Sequence, residues 1–172
     1  MKGEALLVID MLNDFVKEGA PLEVPAARKI IPSIKQKIQW ARENEVSVIY
    51  ICDSHRTQDL EFKWWPSHAV EGTPGACVVA EISPEKGDFI IKKRRYSAFL
   101  GTELDILLRE LNIRTLHLTG ILTNVCVLYT ACDAVMRNYE VIVYSNCVAS
   151  ISSEDHQFAL RQMKNFLKIN VR

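Results

Sequence analysis

The sequence has no long apolar run and no net charge, and each absence argues against a class of protein. No stretch approaches the ~20 apolar residues that a membrane-spanning helix needs, so a membrane protein is not expected. Basic and acidic residues number 21 each, so no overall field attracts nucleic acid or an anionic membrane. Small molecules are therefore the expected partners.

Regular cysteine spacing and a dinucleotide motif are also missing. The five cysteines are an odd number without a C-x-x-C pair, which argues against a disulfide framework or a zinc knuckle. Free thiols fit a reducing cytoplasm, and the start Met1-Lys2-Gly3-Glu4 leads into a strand instead of a signal-peptide core. No G-x-G-x-x-G follows the first strand, so a dinucleotide-binding redox protein is not favoured.

Alternating strand and helix patterns predict an α/β fold with a parallel sheet. The predicted strands cover residues 5–9, 46–52, 88–93, 116–119 and 140–144, with a short edge strand at 168–171. The predicted helices cover residues 26–44, 102–111, 125–136 and 155–167. We expect a single domain over residues 1–172, a three-layer, doubly wound, mostly parallel sheet with helices on both faces.

Chemically useful side chains follow three of the predicted strands. Asp10 ends the first strand, Lys93 ends the third, and Cys126 follows the fourth where a turn becomes a helix. Parallel strands end at one edge of the sheet, so an acid, an amine and a thiol should meet there. The helix start should favour the Cys126 thiolate. The plainer alternatives are a capping role for Asp10 and an inert, buried Cys126.

The irregular stretch from 53 to 85 gathers a second group of polar residues. Asp53, His55 and His68 are a set that could bind zinc or another divalent ion and leave one position open. The alternative is that both histidines only hydrogen-bond the loop. Long irregular segments inside compact domains are usually functional.

Four consecutive basic residues, Lys92-Lys93-Arg94-Arg95, end the third strand. Alternate strand residues point to opposite faces, so only one pair can point inwards. An inward Arg94 or Arg95 could hold a substrate carboxylate with two hydrogen bonds.

Three motifs in order resemble the isochorismatase-like cysteine hydrolases, which include nicotinamidases, N-carbamoylsarcosine amidases and ureidoacrylate amidohydrolases. They are LLVIDMLNDF around Asp10, KRRYSAFLGTEL beginning at Lys93, and GILTNVCVLYTACDA around Cys126. The resemblance implies that these three residues form a catalytic triad and that the thiol forms a thioester. It also implies a cis peptide at Ile121-Leu122, with the backbone N–H groups of Leu122 and Cys126 as an oxyanion hole.

The subfamily remains open between two readings. Asp53, His55 and His68, with WPSH and EGTPGA, resemble the metal-binding loop of nicotinamidases, whose metal holds the pyridine nitrogen. The compact spacing from Lys93 to Tyr96 instead resembles carbamoyl and ureido amidases. We expect first an amidohydrolase of N-carbamoyl or ureido carboxylates that needs no cofactor for its chemistry, and second a metal-dependent nicotinamidase.

Three aromatic residues, Phe15, Trp65 and Tyr96, are candidate walls of the substrate pocket, although plain loop packing would also explain them. A more distant alternative to catalysis is a thiol sensor or binding domain. Assembly as a homodimer or homotetramer is expected from the family resemblance alone.

Overall fold

The computed structural model of the protein describes residues 3–172, and its centre is a six-stranded parallel sheet. The strands are β1 (Glu4–Ile9), β2 (Ser47–Asp53), β3 (Phe89–Lys93), β4 (Thr115–Ile121), β5 (Glu140–Ala149) and β6 (Asn170–Val171). Their order is β3-β2-β1-β4-β5-β6, so the winding direction reverses between β1 and β4. The predicted α/β fold with a parallel sheet is confirmed, and ligands of such sheets bind where the winding reverses.

Helices cover both faces of the sheet. They are α1 (Asn13–Val16), α2 (Ala27–Glu43), α3 (Leu104–Glu110), α4 (Leu128–Met136) and α5 (Ser153–Asn165). Alternate residues of β1 enter two cores: Leu6 and Val8 pack with α2, whereas Leu7 and Ile9 pack with α3, α4 and α5. The central strand is therefore buried on both faces, as its unbroken apolar sequence predicted.

Among the segments that differ from the sequence-based expectation are the end of β5 and the stretch after β2. Strand β5 continues past Tyr144 to Ala149, because an irregularity opposite Leu118 and Gly120 carries the extra residues before pairing resumes at Val148. The stretch after β2 is not structureless. It contains three short 3-10 turns, Leu60–Lys63, Pro74–Ala76 and Ala80–Ile82.

No helix within residues 3–172 is long and apolar enough to cross a bilayer.

Candidate active site

Four neighbouring strands each deliver one polar side chain to the same edge of the sheet. Lys93 ends β3, Asp53 ends β2, Asp10 follows β1, and Cys126 follows β4. Asp10 has a positive φ of 52°, a conformation that aspartate tolerates better than most residues. The backbone N–H of Asp53 donates to Asp10 Oδ1 at 2.9 Å, which fixes the carboxylate.

The ammonium of Lys93 lies between the two carboxylates and the sulfur. Its Nζ is 2.7 Å from Asp10 Oδ2 and 2.6 Å from Asp53 Oδ1, and it donates to Cys126 Sγ at 3.4 Å. Oxygen atoms of both carboxylates and Cys126 Sγ lie within 4.8 Å of one another. The structure thus brings together the three residues that the strand ends pointed to, and it adds Asp53 to them.

Burial sets the protonation states in this group. It raises the pKa of Asp10 to about 6, helped by the neighbouring charge of Asp53 and opposed by Lys93. It also raises the pKa of the Cys126 thiol well above its ordinary value, because Lys93 does not outweigh burial and the two carboxylates. Burial therefore favours the thiol in the free site, in contrast to the thiolate expected from the helix start.

The sulfur is carried by a π-helical turn, Thr123–Val127, which follows β4 and precedes α4. The peptide bond between Ile121 and Leu122 is cis, as the resemblance implied. Side chains from β5 onwards stabilise the turn. Thr123 Oγ1 lies 2.9 Å from Nδ1 of His156, and Ser150 donates to the Asn124 side chain.

A second group, Asp53, His55 and His68, lies beside the sulfur site, with one ligand atom from each within 4.8 Å of the others. Nδ1 of His68 is paired with the Pro66 carbonyl oxygen at 2.7 Å, which leaves Nε2 free. Both ring nitrogens of His55 are buried without a hydrogen bond. Nδ1 of His55 faces the Asp59 carboxylate at 3.2 Å, whereas a buried Nε2 without a partner is costly, so Asp53, His55 and His68 fit a divalent metal.

A cleft with about 510 Å³ of space, its open mouth included, lies over Cys126. Its walls include Phe15, Trp65 and Tyr96, the three aromatic residues singled out in the sequence. The indole of Trp65 donates to the Tyr96 hydroxyl at 3.1 Å. The remaining lining residues are Asp10, Leu22, Val24, Asp53, Glu61, His68, Ile121, Leu122, Val125, Cys126 and Ile151.

Several of these lining residues had no signal in the sequence. Leu22, Val24 and Ile151 are apolar residues of connecting segments, and only the folded chain brings them to Cys126. Glu61 is buried, and burial with the charge of Asp53 raises its pKa.

Neither arginine after Lys93 lines the cleft. Arg94 is exposed, whereas Arg95 donates to Asp59 at 3.0 Å and lies 3.7 Å from Glu61. A clamp on a substrate carboxylate is therefore not supported, because the charge of Arg95 is already paired with acids of its own chain.

Comparison with known proteins identifies the family. Residues 4–170 match the Isochorismatase domain, so the chain belongs to the isochorismatase family and is a hydrolase of that family. It is 37% identical to the nicotinamidase/pyrazinamidase PncA of Bacillus subtilis, covering 99% of each chain with a TM-score of 0.94. It is 35% identical to N-carbamoylsarcosine amidase of Thermoplasma acidophilum, covering 100% of this chain and 96% of that one with a TM-score of 0.90.

A third solved structure is the pyrazinamidase of Pyrococcus horikoshii in complex with zinc. It is 33% identical, the match covers 99% of this chain and 98% of that one, and the TM-score is 0.93.

Proposed function

We propose that this hydrolase acts on small, uncharged aromatic carboxamides of the nicotinamide or pyrazinamide type. The observation that carries the substrate class is the charge of the cleft. Among residues 3–172, no lysine or arginine lines it, while Asp10, Asp53 and Glu61 do. The nearby Lys93 ammonium is buried and already paired with Asp10 and Asp53, so a substrate carboxylate would meet acidic side chains without a free lysine or arginine to bind it. An uncharged ring instead meets apolar and aromatic walls.

The chemistry follows from the contacts of Asp10, Lys93 and Cys126. Asp10 accepts the thiol proton, Lys93 stabilises the resulting thiolate, and Sγ attacks the amide carbon. The N–H groups of Leu122 and Cys126 stabilise the oxyanion, each worth about 3 kcal/mol of barrier. As the tetrahedral adduct collapses, the C–N bond breaks and Asp10 returns its proton to the nitrogen. Ammonia departs, and the acyl group remains on Cys126 as a thioester. Water then cleaves the thioester with Asp10 as base, which regenerates the thiol and releases the acid.

A pKa of about 6 suits Asp10 to this work, since a base that titrates near the working pH can both take and return a proton. Besides stabilising the thiolate, Lys93 favours the charged form of Asp10, which the neighbouring Asp53 disfavours.

A divalent metal would be held by Asp53, His55 and His68. The support is the buried Nε2 of His55, which has no hydrogen bond, together with the zinc bound to the similar pyrazinamidase. When bound, the metal would supply a Lewis-acid contact for a ring nitrogen of the substrate. The side chains of Phe15 and Trp65 would orient the ring against it.

Hydrolysis of N-carbamoyl or ureido carboxylates is the second candidate. It is favoured by the compact spacing from Lys93 to Tyr96 and by the similarity to N-carbamoylsarcosine amidase. Its carboxylate would need a free arginine in the cleft, and Arg95 is instead paired with Asp59.

Ammonia release from a panel of nicotinamide, pyrazinamide and carbamoyl or ureido carboxylates tests the proposal. Cys126→Ala and Asp10→Asn should each lower the rate by roughly 10³-fold or more, as expected for a nucleophile and its base. Cys77→Ala, an exposed cysteine outside the cleft, is the matched control and should stay active.

Turnover of the carboxylates alone would contradict the substrate class. An active Cys126→Ala enzyme would contradict the mechanism, and peroxide reactivity of Cys126 without any turnover would favour the thiol sensor. Assembly as a homodimer or homotetramer and a cytoplasmic location stay predictions.

A further inference from the structure

A line of charged side chains leads from the protein surface to the proposed metal ligand His55. Arg95, 41% exposed at its side chain, donates to Asp59 Oδ1 at 3.0 Å. The Asp59 side chain is 1% exposed, and its Oδ2 lies 3.2 Å from Nδ1 of His55. Asp59 is therefore a buried carboxylate between an arginine and a histidine.

The two ring nitrogens of His55 face different carboxylates. Nδ1 faces Asp59, whereas Nε2 lies 3.7 Å from Oδ2 of Asp53 on the side of the proposed metal. Nε2 makes no hydrogen bond, and the ring is fully buried against Phe62 and His68, with centroids at 5.4 and 4.7 Å. The ring thus has one edge for Asp59 and the opposite edge for the metal site.

A carboxylate behind a metal-binding histidine fixes the tautomer and the orientation of the ring and raises its basicity as a ligand. We propose that Asp59, held in place by Arg95, is a positioning residue that directs Nε2 of His55 to the metal. Arg95 then acts through Asp59 and does not contact substrate. This inference rests on the metal site of the proposed function.

The arrangement explains why two basic residues alternate at the end of β3. Lys93 and Arg95 are two residues apart and each is bound to acids, Lys93 to Asp10 and Asp53, and Arg95 to Asp59. Arg94 between them is exposed and makes no ion pair within the described chain. Removal of Arg95 leaves Asp59 buried with less compensation, which favours a displaced or protonated carboxylate.

Zinc affinity of the metal-free full chain, measured by competition with a chromogenic chelator, tests the proposal. Asp59→Ala should weaken zinc binding by about 10- to 100-fold, the usual effect of losing such a partner. Arg95→Ala should also weaken zinc binding. Asp59→Asn keeps an acceptor oxygen without the charge, so its zinc affinity should lie between those of the unmodified chain and of Asp59→Ala. Arg94→Ala is the matched control and should bind zinc as the unmodified chain does.

A second readout separates positioning from general damage. Excess zinc should restore amide hydrolysis in Arg95→Ala and Asp59→Asn, because a weakened site can still be filled, whereas a distorted fold would not recover. Unchanged zinc affinity in both variants would overturn the positioning role while leaving the triad untouched. If the unmodified chain binds no zinc, the metal site and this inference both fail; loss of hydrolysis in Cys126→Ala would still support the triad.

Discussion

At the scale of single residues, Cys126 shows how burial can outweigh a local electrostatic effect. The helix start seen in the sequence favours a thiolate, by an effect that is typically 0.3–1 kcal/mol at exposed sites. Burial beside Asp10 and Asp53 opposes ionisation more strongly and raises the pKa of the thiol. In the proposed mechanism the proton therefore moves from Cys126 to Asp10, so the acid is needed for the nucleophile to form.

Lys93 is the residue on which the stability of this site depends most. We expect Lys93→Met to lower the free energy of unfolding by about 3–5 kcal/mol near neutral pH, since it leaves two adjacent carboxylates buried without a cation. Urea denaturation measures the change. Lys92→Met is the matched control: its ammonium is exposed, its partner is Glu71, and we expect little effect. Equal losses in the two variants would contradict this account.

Much of the site could be predicted at this scale, and the reason is geometric. Asp10, Lys93 and Cys126 each follow a strand, and parallel strands must end at one edge, so residues far apart in sequence could be placed together. The same rule could not assign Arg95, because Arg95 lies two residues beyond the end of β3 and its partner Asp59 belongs to a loop. The carboxylates of Asp59 and Glu61 come from a loop without periodicity.

At the scale of secondary structure, the pattern of apolar residues located every strand and the four longer helices. The apolar pattern did not predict the last residues of β5. Ser145 and Asn146 interrupt the apolar run where β5 leaves β4 and then pairs with it again. The pattern also missed the π-helical turn, since a one-residue change in hydrogen-bond spacing leaves the apolar spacing almost unaltered.

Gly120 in β4 allows this strand to lie close to β1. A Cβ there would lie 2.0 Å from the carbonyl oxygen of Ile9, and φ is +108°. We expect Gly120→Ala to cost about 4 kcal/mol or more in the free energy of unfolding and to lower activity, because Ile9 precedes Asp10. Gly19 also has a positive φ, +74°, but a Cβ added there would have nothing within 4 Å. Gly19→Ala therefore isolates the effect of φ and should cost about 1 kcal/mol in the free energy of unfolding. Thermal or urea unfolding of both variants measures the difference, and similar costs would rule out the clash.

At the scale of the whole molecule, the balance of charge has a measurable consequence. The formal net charge is zero near neutral pH and the isoelectric point is about 6.9. Large apolar side chains such as Phe166, Met136 and Trp64 are more than 70% exposed. Proteins associate most readily where net repulsion is absent, so we expect a solubility minimum near pH 7.

Light scattering between pH 5 and 9 measures this association. A variant with Lys29→Glu and Lys35→Glu, both exposed on α2, should shift the minimum to lower pH without altering the fold. Solubility that does not change with pH, or a minimum that stays in place, would show that charge is not the controlling factor.

The sheet order also determines when the proposed catalytic residues can meet during synthesis. The chain emerges from the ribosome with residue 10 first and residue 126 far behind, and the intervening strands must dock before an acid and an amine reach the sulfur. Until then Cys126 is an ordinary cysteine of a nascent chain, with no base beside it. The proposed catalytic group is thus complete only when β1, β3 and β4 have taken their places in the sheet.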